Sequence, residues 1–164
     1  LDRLIETIRR SSIQKVAAIC YIVKYGKTLM LDRVKEPFSG YLVAPGGKKE
    51  NNEDILSCIK REMYEETGID IKEPELKVVT TEIGPDNYNW ILYIFICDKF
   101  TGEVKESNEG KLVWVDIDRL DEERLNKIDK DLLPYVFSNK KYLIYLSYDE
   151  QKNCTIESIE ELNL

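Results

Sequence analysis

The chain contains no histidine. That absence removes every His-based catalytic triad and every imidazole general base. Acid–base work must fall to Glu, Asp, Lys, Tyr or an activated water. Cysteine is sparse as well. Cys20, Cys58, Cys97 and Cys154 are widely spaced, form no Cys-x-x-Cys pair and sit mostly among apolar residues. A structural zinc site is therefore not expected, and we read buried, reduced thiols in a cytoplasmic protein. There is no apolar run of membrane-spanning length and no secretory leader pattern. Basic residues are in the minority, 24 against 31 acidic ones, for a net charge of −7. A surface of that sign argues against extended nucleic acid as a partner, because displacing phosphate counterions needs a basic face. It does not argue against a small phosphorylated ligand, since a cation can mediate between acidic protein and acidic ligand.

What is present describes an ordinary globular protein. Of the 164 residues 43% are hydrophobic and 34% charged, enough for one domain with a substantial core. No repeat, low-complexity tract or interdomain linker interrupts it. Residues 1–14 place Leu1, Leu4, Ile5 and Ile8 at helical spacing and read as an N-terminal helix or arm, leaving 15–164 as the domain. Residues 15–23 form a nearly continuous apolar run expected to be a strand buried on both faces. Tyr25-Gly26-Lys27 makes a turn, and Thr28 to Leu31 returns. Further strands are expected at 41–44, 76–82, 90–100 and 112–115, helices at 118–126 and 130–137, and a closing hairpin over 142–159. Strands on both sides of one long helix, with more helix near the C-terminus, indicate an α/β fold with a mixed sheet between helical layers.

The organising stretch is GKKENNEDILSCIKREMYEETGI, Gly47 to Ile69. Asn51 and Asn52 are N-cap candidates, Glu53 and Asp54 put negative charge at the helix start, and Gly68 suits a left-handed C-cap. Ile55, Ile59 and Met63 recur every four residues. At about 100° per residue, Ile55, Ile59, Glu62 and Glu66 fall within roughly a 60° arc, with Glu65 just beside it. The stripe that begins as core thus ends as three carboxylates, in the helical turn where the macrodipole disfavours anions. A solvated acidic face would lie opposite the apolar stripe, not on it. A hard divalent cation with oxygen ligands, such as Mg²⁺, resolves the conflict.

This segment resembles the Nudix box, Gly-x5-Glu-x7-Arg-Glu-U-x-Glu-Glu-x-Gly-U with U a bulky apolar residue, and matches it at every specified position. A match by chance is below roughly 10⁻⁷ per starting position. Over about 15–160 the chain is similar to the MutT branch of oxidised purine nucleoside triphosphatases. The resemblance implies the Nudix-type α/β/α sandwich with a catalytic helix after a Gly-Gly loop. It implies a pyrophosphohydrolase cleaving a nucleoside triphosphate, 8-oxo-dGTP among the candidates, to monophosphate and pyrophosphate. It further implies Mg²⁺, with Mn²⁺ as the other candidate, held by Glu62, Glu65, Glu66 and the Gly46 carbonyl. Arg61 would fix Glu65, and Glu53 would orient water or hold a second ion. A loop glutamate before the Trp114 strand, Glu106 ahead of Glu109, would add a ligand or base. Glu66 is the other candidate base. Gly47 and Lys48 would approach phosphates, and Asp129 would contact the base.

Two departures leave the substrate open. The branch often carries an Asn where Val43 stands, and a Trp with two acidic residues where this chain has Asn126-Lys127-Ile128-Asp129. ADP-ribose, a dinucleoside polyphosphate and a non-catalytic nucleotide-sensing module are the alternatives. A monomer or homodimer with a small-molecule partner is expected.

Overall fold

The computed structural model describes residues 2–3 and 13–163, so most of the expected N-terminal helix lies outside the described residues. Strand β1 (Lys15–Lys24) runs through the middle of the sheet and turns at Tyr25-Gly26 into β2 (Lys27–Arg33). Both turn residues have positive φ, 52° and 73°, the twist that a two-residue hairpin loop requires. The short strands β3 (Leu42–Val43) and β4 (Gly46–Lys48) lead to helix α1 (Ile55–Thr67). Strand β5 (Asp70–Lys72) pairs with β8 (Lys99–Thr101) in a small separate sheet that the sequence reading did not anticipate. Between them lie β6 (Glu75–Ile83) and β7 (Asn89–Cys97). Next come β9 (Gly110–Asp116), a 3₁₀ turn (Ile117–Glu122), helix α2 (Lys127–Val136) and the hairpin β10 (Lys141–Tyr148) to β11 (Cys154–Leu162).

The main sheet is ordered β11-β10-β6-β7-β1-β2-β3, with β4 pairing β1 and β9 pairing β2. β1 runs parallel to β7 and β10 parallel to β6, while the other pairs are antiparallel. The sheet is mixed, as expected. Alternation along the strands divides the core in two. Ala18, Cys20, Ile22, Phe95 and Cys97 pack on Cys58, Ile59 and Met63 of α1. Tyr21, Val78, Ile94, Ile144 and Leu146 pack on Leu132, Leu133 and Val136 of α2. Cys20, Cys58 and Cys97 are buried and all four cysteines are free. No helix among the described residues is long and apolar enough to cross a membrane.

Three sequence expectations need correction. Asn51 and Asn52 do not cap α1. Asp54 does, accepting the Ser57 N–H at 2.9 Å, and Glu53 lies ahead of the helix, not within it. The helix expected over 118–126 is a 3₁₀ turn ending at Glu122. Leu120 and Leu125 both enter the core and the Arg124 carbonyl is tied to the Leu42 N–H, so the chain is drawn off the helical path. Helix α2 then begins at Lys127, which places Asp129 in its first turn. Gly68 ends α1 at φ 75°, as expected.

Met63 is wholly buried under the sheet whereas its neighbour Tyr64 is 62% exposed. Met63→Ala is expected to destabilise the fold by about 2–5 kcal/mol and Tyr64→Ala by less than about 0.5, measured by urea unfolding.

Candidate active site

The site is assembled where β4 crosses the end of α1. The alternation of β4 makes it a seam, because Gly47 faces α1 while Lys48 belongs to the opposite face of the sheet. A Cβ on Gly47 would run into the carboxylate of Glu62, and one on Gly46 would collide with the Ala18 carbonyl. Only glycines permit this approach of backbone to helix and to β1. The Gly46 N–H donates to Glu66 Oε2 at 3.0 Å, which locks the loop to the last turn of α1.

Arg61 is the hub. Its Nε and Nη2 grip the two oxygens of Glu53 at 2.9 and 2.7 Å. Its Nη1 donates to Glu62 at 2.8 Å and to Glu65 at 3.2 Å, and Nη2 also reaches the Lys48 carbonyl at 3.1 Å. The expected Glu65 contact is present, but the bidentate partner is Glu53, eight residues away. No local pattern announces it, since Glu53 must fold back from outside the helix to meet it. The guanidinium holds the Glu53 carboxyl down at about 2, helped by the Glu50 N–H. Burial pushes Glu62 up against the pull of Arg61. Burial is also the main reason that Glu66 is pushed up to about 7, with Glu62 and Glu109 adding like charge and Gly46 opposing. Glu65 is the outward member, its side chain 57% exposed.

Among the described residues no three acidic groups converge into a closed metal cage. The donor chemistry nonetheless fits a hard cation. The acids are oxygen donors on one helix end, Glu62 and Glu66 are partly buried with charge that the protein only partly offsets, and the chain has no imidazole. The nearby Cys58 thiol, 4.0 Å from the Gly47 carbonyl, is pushed up to about 12 chiefly by burial and so offers no thiolate. Glu106 is exposed on its loop. Glu109 instead pairs with Arg33 at 3.2 Å and Lys35 at 3.7 Å, and its charge bears on Glu66.

Across the seam lies a second group. Lys15, Trp90 and Glu82 align in register across β1, β7 and β6, on the face that carries α2. Lys15 and Lys48 place their ammonium groups 5.4 and 5.7 Å from the Trp90 ring centre. Asp129 stands apart from the carboxylates of α1. Burial, with Glu82 adding like charge, pushes it up to about 6. Glu82 escaped the sequence reading, although its strand offers a signal: Val78, Thr80 and Glu82 alternate on one face, which puts an acid where a core residue belongs.

Comparison with known proteins agrees with this architecture. The NUDIX domain model matches residues 13–136. The Nudix hydrolase YvcI of Bacillus subtilis is 36% identical over 129 residues, 76% of this chain and 80% of that protein. An oxidized purine nucleoside triphosphate hydrolase of Danio rerio is 25% identical over 82% of this chain and 86% of its own. The crystal structure of a MutT protein from Bacillus halodurans superposes with a TM-score of 0.77 at 32% identity, covering 90% of this chain and 97% of that one. A fold and a glutamate-rich helix end of this kind define a hydrolase of phosphoric anhydride bonds. The chain belongs to the Nudix hydrolase family, whose members generally use divalent metal ions and act on small nucleotides.

Two outcomes test the geometry. Gly47→Ala, which drives Glu62 from its place, is expected to lower hydrolysis about 100-fold with the fold retained by circular dichroism. Asp129 prefers its protonated form in the folded state, so the stability it contributes is complete below its unfolded pKa and lost as pH rises to about 6. Asp129→Asn is therefore expected to be more stable than the parent by about 1–3 kcal/mol at pH 7.5. In urea unfolding that gain should vanish near pH 4.

Proposed function

We propose that the protein is a Mg²⁺-dependent pyrophosphohydrolase that cleaves a nucleoside triphosphate to a monophosphate and pyrophosphate. The observation that carries this reading is the clamp of Gly46 and Gly47 onto Glu66 and Glu62, with Arg61 holding Glu53, Glu62 and Glu65 around it. Glu62, Glu65, Glu66 and the Gly46 carbonyl would hold the cation. A bound Mg²⁺ supplies neutralisation of the charge that develops on phosphoryl oxygens. Arg61 orients the glutamates and keeps Glu53 ionised; as a planar fork it serves several carboxylates at once, which Lys could not do. Glu66, half-buried against the loop backbone, would receive the proton of the attacking water. That the Glu109 charge bears on Glu66, while Glu106 is exposed on its loop, supports Glu109 over Glu106 as the assisting acid. Lys48, one residue beyond the glycines, and Lys15 supply positive charge toward the phosphates.

The likeness to the oxidized purine nucleoside triphosphate hydrolase of Danio rerio, which spans most of both chains, supports a triphosphate substrate, with 8-oxo-dGTP one member of that class. The second reading is another nucleoside diphosphate derivative. It draws on an ADP-ribose pyrophosphatase of Methanocaldococcus jannaschii, 34% identical over 58% of this chain and 57% of its own, and on Val43 where the oxidised-purine branch often has Asn. A non-catalytic sensing module is disfavoured, because every box carboxylate is present. The buried thiols accord with a cytoplasmic site of action.

Product formation across nucleoside triphosphates, dinucleoside polyphosphates and ADP-ribose in Mg²⁺ and Mn²⁺ tests the reading. Glu66→Gln is expected to reduce turnover by at least about 10³-fold. Saturating Mg²⁺ should raise the parent's melting temperature, as mass action requires of a ligand bound only by the native state, and raise it less in this variant. Near-normal turnover by Glu66→Gln would sink the mechanism.

A further inference from the structure

On the α2 face of the sheet two lysines bring their ammonium groups to one indole. Lys15 in β1 and Lys48 in β4 lie 5.4 and 5.7 Å from the centre of the Trp90 ring. Lys15 comes to the ring directly, in register with Trp90 on the adjacent strand. Lys48 does not, because β4 and β7 flank β1 on opposite sides and its side chain must cross β1. Its partner in register there is Ala17, whose methyl leaves that crossing open. Neither lysine forms an ion pair among the described residues, whereas Lys27, Lys99 and Lys127 each hold an acid within 3.0 Å. Glu82, next in register beyond Trp90, is bonded instead to the hydroxyls of Thr80, Tyr88 and Tyr148. Two like charges gathered at one ring repel, and a polyanion offsets that repulsion. Lys48 is also fastened to the hydrolytic site: it follows Gly47, and its carbonyl accepts from Arg61 Nη2 at 3.1 Å.

We infer that Trp90 is a positioning residue whose ring holds Lys48 and Lys15 as a paired cation site for the polyphosphate of the substrate. This rests on the reading above that the protein takes a nucleoside polyphosphate. A free lysine spreads its charge over many rotamers, and ordering it weakens each association. An indole face attracts an ammonium group within about 6 Å of its centre, and does so better than the other aromatic rings. Trp90 belongs to a central strand and is half-buried, with the Tyr88 ring 6.3 Å away, so the platform is itself fixed. The two lysines are thereby held before the ligand arrives. A carboxylate in place of Trp90 would hold them more tightly but would cancel the charge that phosphates need. The indole cancels neither, and the ammonium donors stay free for phosphate oxygens.

Inorganic tripolyphosphate tests this without turnover or metal. Titration calorimetry in EDTA at low ionic strength gives Kd. A second measurement follows Trp90 emission in a Trp114→Phe background, where Trp90 is the only indole of the chain. Lys15→Met combined with Lys48→Met is expected to weaken binding at least about tenfold. Trp90→Leu should weaken it about three- to fivefold although both lysines remain, and Trp90→Phe, which keeps a ring, less than about twofold. Trp90→Leu should add nothing to the double lysine variant, since residues that act through one another are not additive. Tripolyphosphate should shift Trp90 emission in the parent background and not in the double lysine variant, a comparison that leaves β7 unaltered. No binding by the parent, or equal affinity of Trp90→Leu and parent, overturns the inference. So does an equal loss in Trp90→Phe, or a further loss when Trp90→Leu joins the lysine changes, because the ring then acts by its bulk. Loss of guanosine binding by Trp90→Leu with tripolyphosphate binding intact assigns the ring to the base and overturns it too. The expected binding pattern with no triphosphate hydrolysis would overturn the catalytic proposal and leave this one standing.

Discussion

One guanidinium makes the arrangement at the end of α1 possible. Four carboxylates, Glu53, Glu62, Glu65 and Glu66, are gathered around α1, and the last of them crowd the helix end whose dipole opposes anions. Arg61 touches three of the four, and the Gly46 N–H takes the last. Without such partners the cluster would relieve its repulsion by turning side chains into solvent, and the loop would lose its hold on the helix. The pairing with Glu53 also reaches outside α1, so the segment between the glycines and the helix is stapled to the helix it precedes. Loop and helix therefore form one rigid unit, on which positioning of reacting groups depends.

The molecule supports that unit with a core and opposes it with charge. Cys58, Ile59 and Met63 seal α1 to the sheet, and the same rotation of the helix that buries them turns Glu62 and Glu66 inward. Burial then raises both carboxyls, a cost that the fold bears at this helix end. Glu82 and Asp129 on the other face are also raised chiefly by burial, with no cation paired to either among the described residues. Charge held against its own solvation is what a ligand of complementary charge or hydrogen bonding can relieve.

Much of this was written into the primary sequence. The spacing from Gly47 to Ile69 determined the helix, its left-handed end at Gly68 and the inward carboxylates, because these depend on local periodicity and on residues within two turns of one another. The apolar runs at 15–23 and 90–100 marked two buried strands, while their parallel pairing was decided by the tertiary structure. Tertiary structure alone decided the rest. Glu53 meets Arg61 only because the chain doubles back; Asp54 takes the cap once Glu53 is drawn away; Leu120 and Leu125 override a helical pattern by entering the core; and β5 with β8 forms from segments nearly thirty residues apart. Glu82, Trp90 and Lys15 come into line only through strand register. Sequence by itself determined the chemistry of the helix, since that chemistry is local; the alignment of Lys15, Trp90 and Glu82 is a product of pairing between distant strands, which no single stretch encodes.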